Sequence, residues 1–93
     1  MAVGDTTQGR RVDDGTKRWD YKPGDYGRVK RDGEWVWAVL PTNTDLTSAG
    51  DIPQHEVTEH EDGTITVSPS ILLDAGDLGQ WHGYLERGVW REV

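Results

Sequence analysis

Cysteine is absent from this 93-residue sequence, and so is phenylalanine. Without cysteine the chain has no disulfides, thiolate zinc sites, iron–sulfur clusters or cysteine nucleophiles. Long apolar runs are missing as well, and no stretch approaches the roughly 18 residues that a membrane-spanning helix needs. We therefore expect a protein without a membrane segment, located in the cytoplasm.

Basic residues are scarce beyond residue 40. The first 40 residues hold eight Lys or Arg and seven Asp or Glu, whereas the rest of the chain holds two and ten. The formal net charge of −7 therefore resides in the second part of the chain, which repels phosphate and favours a basic partner. Direct nucleic-acid binding is not expected.

Aromatic residues must supply much of the core, because only 33% of the residues are hydrophobic while five are Trp and three are Tyr. Twelve glycines and four prolines favour short strands and tight turns over long helices. We predict an all-β fold: a small antiparallel meander or partly open barrel of about six strands, formed by three hairpins. Residues 1–18 are polar and aperiodic, which predicts a flexible tail ahead of a single domain at residues 19–93.

The first hairpin is predicted from Asp32-Gly33, a type I′ turn signal between two β-rich runs. The two-residue loop pairs Arg31 with Glu34 and Tyr26 with Val39. One face of the hairpin is then aliphatic, and the other carries both tryptophans of the second strand, Trp35 and Trp37. Two interpretations remain open for that aromatic face: it is covered as part of a core, or it is an exposed strip.

Two further hairpins follow. A three-residue turn at residues 61–63 keeps Val57 opposite Val67, and Arg87-Gly88 closes the last hairpin. The alternation in the last hairpin places these three residues on one face: Trp81, Leu85 and Trp90.

Histidines and carboxylates cluster between residues 54 and 62, which raises the question of a metal site. His55 and His60 are five residues apart, so a strand places them on opposite faces, whereas the helical zinc motif spaces its histidines four apart. With His82 they remain weak candidates, and we predict no metal and no cofactor. Ser68 and Ser70 lack the Gly-x-Ser-x-Gly context of a nucleophile, so no enzymatic activity is expected.

A segment near the C-terminus resembles a known family. Residues 66–73 contain Ser68-Pro69-Ser70 before three aliphatic residues, and residues 81–90 contain His82 and the hairpin closed by Gly88. Together they resemble the C-terminal part of small uncharacterised proteins of bacteriophages and prophages, over about 25 of the 93 residues. Trp81 stands where many relatives have a cysteine before the histidine. The resemblance implies a phage protein, and the composition is similar to that of phages infecting actinobacteria.

These observations predict a non-enzymatic, phage-encoded protein-binding module, either a virion component or a modulator of a host protein. The candidate contact residues are Trp35, Trp37, Tyr26, Trp81, Tyr84 and Trp90. One alternative is an acidic DNA mimic that blocks a host defence protein, with Asp51, Glu56, Glu59, Glu61, Asp62, Asp74 and Asp77 in place of phosphates. A second alternative is a metal-dependent hydrolase that uses the three histidines.

Overall fold

The computed structural model describes residues 6–42, 46–74, 76–78 and 80–93. These residues form nine strands and two 3-10 helices. The strands are β1 (Thr6–Gln8), β2 (Arg10–Arg11), β3 (Asp25–Arg31), β4 (Glu34–Val39), β5 (Gly50–Asp51), β6 (Glu56–Glu59), β7 (Ile65–Asp74), β8 (Gln80–Glu86) and β9 (Val89–Glu92), and the 3-10 helices are Arg18–Asp20 and Gly76–Leu78.

The strands make two sheets. One has five strands in the order β1-β9-β8-β7-β6, and the other has four in the order β2-β3-β4-β5. Strands β2 and β3 are parallel, and the other neighbouring pairs are antiparallel. The all-β prediction is confirmed. The finer prediction is corrected, since the described residues contain nine strands instead of about six and their sheets do not close into a barrel.

Three short strands account for the difference in number. Strands β1, β2 and β5 have two or three residues each and no apolar alternation, so the sequence carries no strand signal there. They are held by backbone pairing with β9, β3 and β4. Between β1 and β2 the Gly9 N–H donates to the Gly88 carbonyl at 2.7 Å, and the chain passes there from one sheet to the other. Residues 6–11, which the sequence analysis placed in the tail, therefore belong to the two sheets.

The three predicted hairpins have the predicted registers. In the first, Arg31 pairs with Glu34 and Tyr26 with Val39. In the second, Val57 pairs with Val67. The third pairs β8 with β9 across the Arg87-Gly88 turn. Local turn chemistry and alternation were therefore sufficient to fix each hairpin.

The main core lies between the two sheets and draws on both. It contains nine buried residues: Tyr26, Val39, Ile52, Ile65, Val67, Ile71, Trp81, Leu85 and Trp90. The indoles of Trp81 and Trp90 meet edge to face, with their ring centroids 5.3 Å apart. The Trp90 Nε1–H donates to the Gly24 carbonyl at 2.9 Å, which satisfies the polar edge of this buried ring.

A second, smaller cluster lies on the opposite face of the four-stranded sheet. Its buried members are Tyr21, Val29, Ala38, Leu40 and Ala49. Because successive residues of β3 and β4 point to opposite faces, the first hairpin contributes to both clusters. The hairpin is thus covered on both sides over most of its length.

The second cluster contains a hydroxyl without a partner. Tyr21 is 4% exposed, and its hydroxyl has no hydrogen-bond partner among the described residues. Burial raises the pKa of Tyr21 to about 12 from its ordinary value of 10.0. The neutral phenol therefore contributes stability that is complete below the unfolded-state pKa and is lost as the pH rises toward the folded-state pKa.

We expect Tyr21→Phe to leave the stability near neutral pH unchanged or to raise it by about 1 kcal/mol, because it removes a buried, unpaired hydroxyl. The variant should also lose less stability than the parent between pH 10 and pH 12. Urea unfolding at neutral and alkaline pH measures both effects. Tyr84→Phe is the control, because it removes the hydroxyl of a half-buried tyrosine and retains both buried tyrosines, Tyr21 and Tyr26. An alkaline decline in Tyr21→Phe equal to that of the parent contradicts the assignment.

Candidate functional site

The predicted contact residues separate into buried and exposed groups. Tyr26, Trp81 and Trp90 are each 1% exposed and belong to the main core. A side chain that is so completely covered offers no surface to a partner, so these three are core residues in the folded chain. Tyr84 is half-buried, with the Arg91 guanidinium 4.4 Å from its ring centroid.

The aromatic face of the first hairpin combines the two interpretations left open by the sequence. Trp37 packs against the main core. The guanidinium carbons of Arg11 and Arg28 lie 4.9 Å and 5.6 Å from its ring centroid. Trp35, two residues nearer the turn, is 48% exposed. The face is therefore core at one end and open surface at the other.

Trp19 is the most exposed large hydrophobic residue described, at 69%. Trp19 was not among the predicted contact residues, because it stands alone between charged residues and belongs to no strand pattern. The 3-10 helix Arg18–Asp20 carries it. Its neighbour Tyr21 is buried, so the helix is anchored while the indole of Trp19 faces solvent.

Trp19 and Trp35 line one cleft of about 310 Å³, which we call the tryptophan cleft. Its lining is Gly15, Thr16, Lys17, Arg18, Trp19, Val29, Lys30 and Trp35. Val29 is 5% exposed and belongs to the second cluster, so the cleft adjoins the packed interior. Loop, 3-10 helix and hairpin segments that are distant in sequence thus meet at one concave surface.

Backbone hydrogen bonds hold the loop side of the tryptophan cleft. The Gly15 N–H donates to the Arg28 carbonyl at 2.9 Å and fixes the loop to β3. The Thr16 hydroxyl donates to the Asp13 carbonyl at 2.8 Å. Beside it, Asp14 accepts two hydrogen bonds from Arg28, and this contact lowers the pKa of the Asp14 carboxyl.

An ion-pair bridge holds the helix side. The Asp51 carboxylate accepts hydrogen bonds from Arg18 on one oxygen and from Arg31 on the other. The Arg18 carbonyl also accepts from the Ala49 N–H at 3.1 Å. Asp51, proposed above as an acidic surface residue, therefore positions the segment that carries Trp19.

The tryptophan cleft is basic. Among the residues that the structure describes, its lining includes Lys17, Arg18 and Lys30 but no carboxylate. The Lys30 ammonium lies 5.4 Å from the Trp35 ring centroid. Arg18 is paired with Asp51, whereas no described carboxylate forms an ion pair with Lys17 or Lys30. The cleft therefore presents two uncompensated cations in a chain of net charge −7.

The other acidic candidates are partly engaged within the fold. Glu59 pairs with Arg11 at 2.9 Å. Asp62 accepts hydrogen bonds from the side chain and backbone of Thr64, and Asp74 accepts from the Gly76 N–H, and these bonds lower the pKa of both carboxyls.

The acidic candidates fall into separate groups. Glu56, Glu61 and Asp77 are exposed. Glu59, Glu61 and Asp62 line one depression together with His60 and Arg87, whereas Asp74 lies at the far end of β7. The structure does not bring the seven predicted carboxylates into one patch.

Two of the three candidate histidines lie next to the same residue, Ser70. His55 Nε2 lies 2.9 Å from the Ser70 carbonyl, and His82 Nε2 lies 3.0 Å from the Ser70 hydroxyl. His60 is bonded to the Thr66 hydroxyl instead. Among residues 6–42, 46–74, 76–78 and 80–93, no three His, Asp or Glu side chains are placed to hold a metal ion.

Comparisons with protein-family models, with curated proteins and with solved structures found no match to this chain. Neither 3-10 helix exceeds three residues, and the described part of the chain contains no helix able to cross a membrane. The interpretation of the tryptophan cleft therefore rests on its own geometry.

Proposed function

We propose that the chain is a non-enzymatic protein-binding module whose contact surface is the tryptophan cleft. The observation that carries this proposal is the pair of exposed indoles, Trp19 and Trp35, on the walls of a single cleft. The resemblance of residues 66–90 to phage proteins adds the biological setting. The module is phage-encoded and acts as a virion component or as a modulator of a host protein.

Exposed tryptophans are costly to leave in water and are among the residues that contribute most to binding energy at protein interfaces. A cleft of about 310 Å³ lies at the lower end of the range for ligand pockets, which suits one or two side chains of a partner. The hydrogen bonds of Gly15 and the Asp51 bridge hold its walls in place. Binding at walls that are already positioned loses less conformational entropy.

The chemistry of the lining supports binding over catalysis. Acid–base catalysis needs a side chain that exchanges a proton near neutral pH, most often His, Asp or Glu. The described lining residues include none of these, and the Thr16 hydroxyl donates a hydrogen bond to the Asp13 carbonyl. The cleft offers aromatic surface and positive charge, which are recognition features.

We expect the double variant Trp19→Ala/Trp35→Ala to lose its protein partner. Tagged parent and variant chains are used for affinity capture from a lysate of phage-infected actinobacterial cells, which contains both host and virion proteins. Loss of two interface anchors costs at least about 2 kcal/mol, so the amount of captured partner should fall below about one-tenth. Mass spectrometry with isotope labelling gives the ratio.

Leu72→Ala is the matched control, because Leu72 is 57% exposed and lies outside the cleft. This variant should retain the partner at the level of the parent, and thermal unfolding verifies that all three chains are folded. Equal capture by the parent and the double variant contradicts the proposal.

A further inference from the structure

We infer that the occupant of the tryptophan cleft is a short acidic peptide segment that packs one apolar side chain against Trp19 and Trp35. This inference rests on the proposed function and specifies its partner chemistry. It also differs from the basic partner expected from the overall charge, because the cleft is built from the first part of the chain, where the basic residues are concentrated.

Lys17 and Lys30 give the cleft its unpaired positive charge. Both are exposed lining residues, and no described carboxylate forms an ion pair with either. Arg10, Arg11 and Arg28 are paired with Asp25, Glu59 and Asp14. Among the described residues Lys22 and Arg87 also have no ion pair, but they lie outside the cleft. Because opposite charges across an interface steer encounter and fix orientation, two unmatched ammonium groups favour carboxylates on the partner.

The nearby carboxylates do not cancel this charge. Asp14 is bonded to Arg28 and Arg11. Asp13 and Asp20 line a neighbouring depression, not the cleft. Glu34 adjoins Trp35 in β4 but is not among the residues that line the cleft. At physiological ionic strength the Debye length is about 8 Å, which screens the distant acidic hairpins from an occupant of the cleft.

Trp19, Trp35 and Val29 give the cleft its apolar surface. The two exposed indoles line it together with the nearly buried Val29. An apolar side chain inserted there gains about 25 cal/mol for each Å² it removes from water. The occupant that satisfies both features has an apolar residue flanked by Asp or Glu.

The size and charge of the cleft favour a peptide over a nucleic acid. Proteins that bind single-stranded nucleic acid combine stacked aromatics with a basic groove that follows several phosphates. Here the unmatched cations of the cleft are Lys17 and Lys30. The depression next to the cleft contains the carboxylates Asp13 and Asp20, and its arginines, Arg10 and Arg11, are already paired with Asp25 and Glu59. A short peptide contacts the cleft without extending over those carboxylates.

Fluorescence anisotropy with labelled probes tests the inference on the full chain. The probe is a 12-residue peptide of Glu and Ser with a central Leu. Comparison probes replace Glu by Lys, replace Leu by Ala, or are a 12-nucleotide oligothymidylate. We expect the acidic Leu peptide to bind at least about ten-fold more tightly than each comparison probe, and its affinity to fall as salt is added.

Charge reversal supplies the second arm. Lys17→Glu/Lys30→Glu should weaken binding of the acidic peptide at least about ten-fold. Lys22→Glu/Arg87→Glu changes the net charge equally at exposed positions outside the cleft, so its affinity should stay within about two-fold of the parent. Equal loss in the two reversal variants overturns the inference, and so does preference for the Lys peptide or the oligonucleotide. Failure of the acidic peptide to bind at about 1 mM overturns it as well.

The same variants separate this inference from the proposed function. One outcome is that Trp19→Ala/Trp35→Ala loses the captured partner while Lys17→Glu/Lys30→Glu keeps it. In that case the cleft remains the contact surface, and the inference that its occupant is acidic is wrong. If both double variants keep the partner, the proposed function fails first.

Discussion

Replacing Trp90 with alanine should reduce the stability of the protein more than any change in the tryptophan cleft. Trp90 is 1% exposed, packs edge to face on Trp81 and donates its indole N–H to the Gly24 carbonyl. Truncation of a buried Trp costs about 3–5 kcal/mol, and loss of the hydrogen bond adds about 1 kcal/mol. A domain of this size has a total stability of about 5–14 kcal/mol, so the variant should be close to unfolding.

Thermal and urea unfolding followed by circular dichroism measure this effect. The unfolding midpoint of Trp90→Ala should fall by more than about 15 °C. Trp35→Ala is the control, because it truncates the same residue type at a half-exposed position and should cost less than about 1 kcal/mol. Similar losses in the two variants would show that the structure assigns burial to the wrong tryptophans.

Gly83→Ala is expected to have the second largest effect. A Cβ atom added at this buried glycine in β8 would lie 2.4 Å from the Arg91 carbonyl oxygen and 2.6 Å from the Trp81 ring. The carbonyl belongs to β9 and the indole is fully buried, so neither can move without disturbing the main core. We expect a loss of about 3 kcal/mol in the free energy of unfolding, at the upper end of the usual cost of overpacking.

Gly50→Ala provides the comparison at a second strand glycine. A Cβ atom at Gly50 would meet Leu73 at 3.5 Å, an ordinary van der Waals contact. Its stability should therefore stay within about 0.5 kcal/mol of the parent. Urea unfolding of both variants gives the difference. If Gly83→Ala is as stable as Gly50→Ala, the Trp81 indole does not lie over the Gly83 backbone as described.

The hairpins could be predicted from the sequence because their information is local. Asp32-Gly33 specifies a tight turn, and the alternation beside it permits one register that keeps like residues on one face. The same reasoning placed Val57 opposite Val67 by choosing a three-residue turn. In each case the turn and the apolar pattern agreed within about a dozen residues.

The pairing of β1, β2 and β5 could not be predicted, because it is carried by backbone groups. Thr6–Gln8 and Arg10–Arg11 are polar, and their partners, β9 and β3, are distant in sequence. A glycine marks the crossing: a Cβ atom at Gly9 would lie 2.8 Å from the Gly88 carbonyl oxygen and from the Trp90 indole nitrogen. A single glycine in a polar segment is not enough to predict that the backbone passes so close to Gly88 and Trp90.

Only one of the two exposed tryptophans of the candidate site could be predicted from the sequence. Trp35 was selected because it lies in a strand with an aromatic face, but Trp37 on the same face is covered by Arg11 and Arg28. Trp19 was missed, since its role depends on a 3-10 helix held by Asp51 from β5. The approach of His55 and His82 to Ser70 likewise depends on the pairing of β7 with β6 on one side and with β8 on the other, not on spacing.

The measurement that tests the account most directly is hydroxyl-radical footprinting of the chain, free and in complex with its captured partner. In the free chain, mass spectrometry should find Trp19 and Trp35 oxidised and Trp81 and Trp90 protected, in line with their exposure. In the complex, Trp19 and Trp35 should become protected while Leu72 stays reactive. Trp19 and Trp35 remaining as reactive in the complex as in the free chain would contradict the tryptophan cleft as the contact surface.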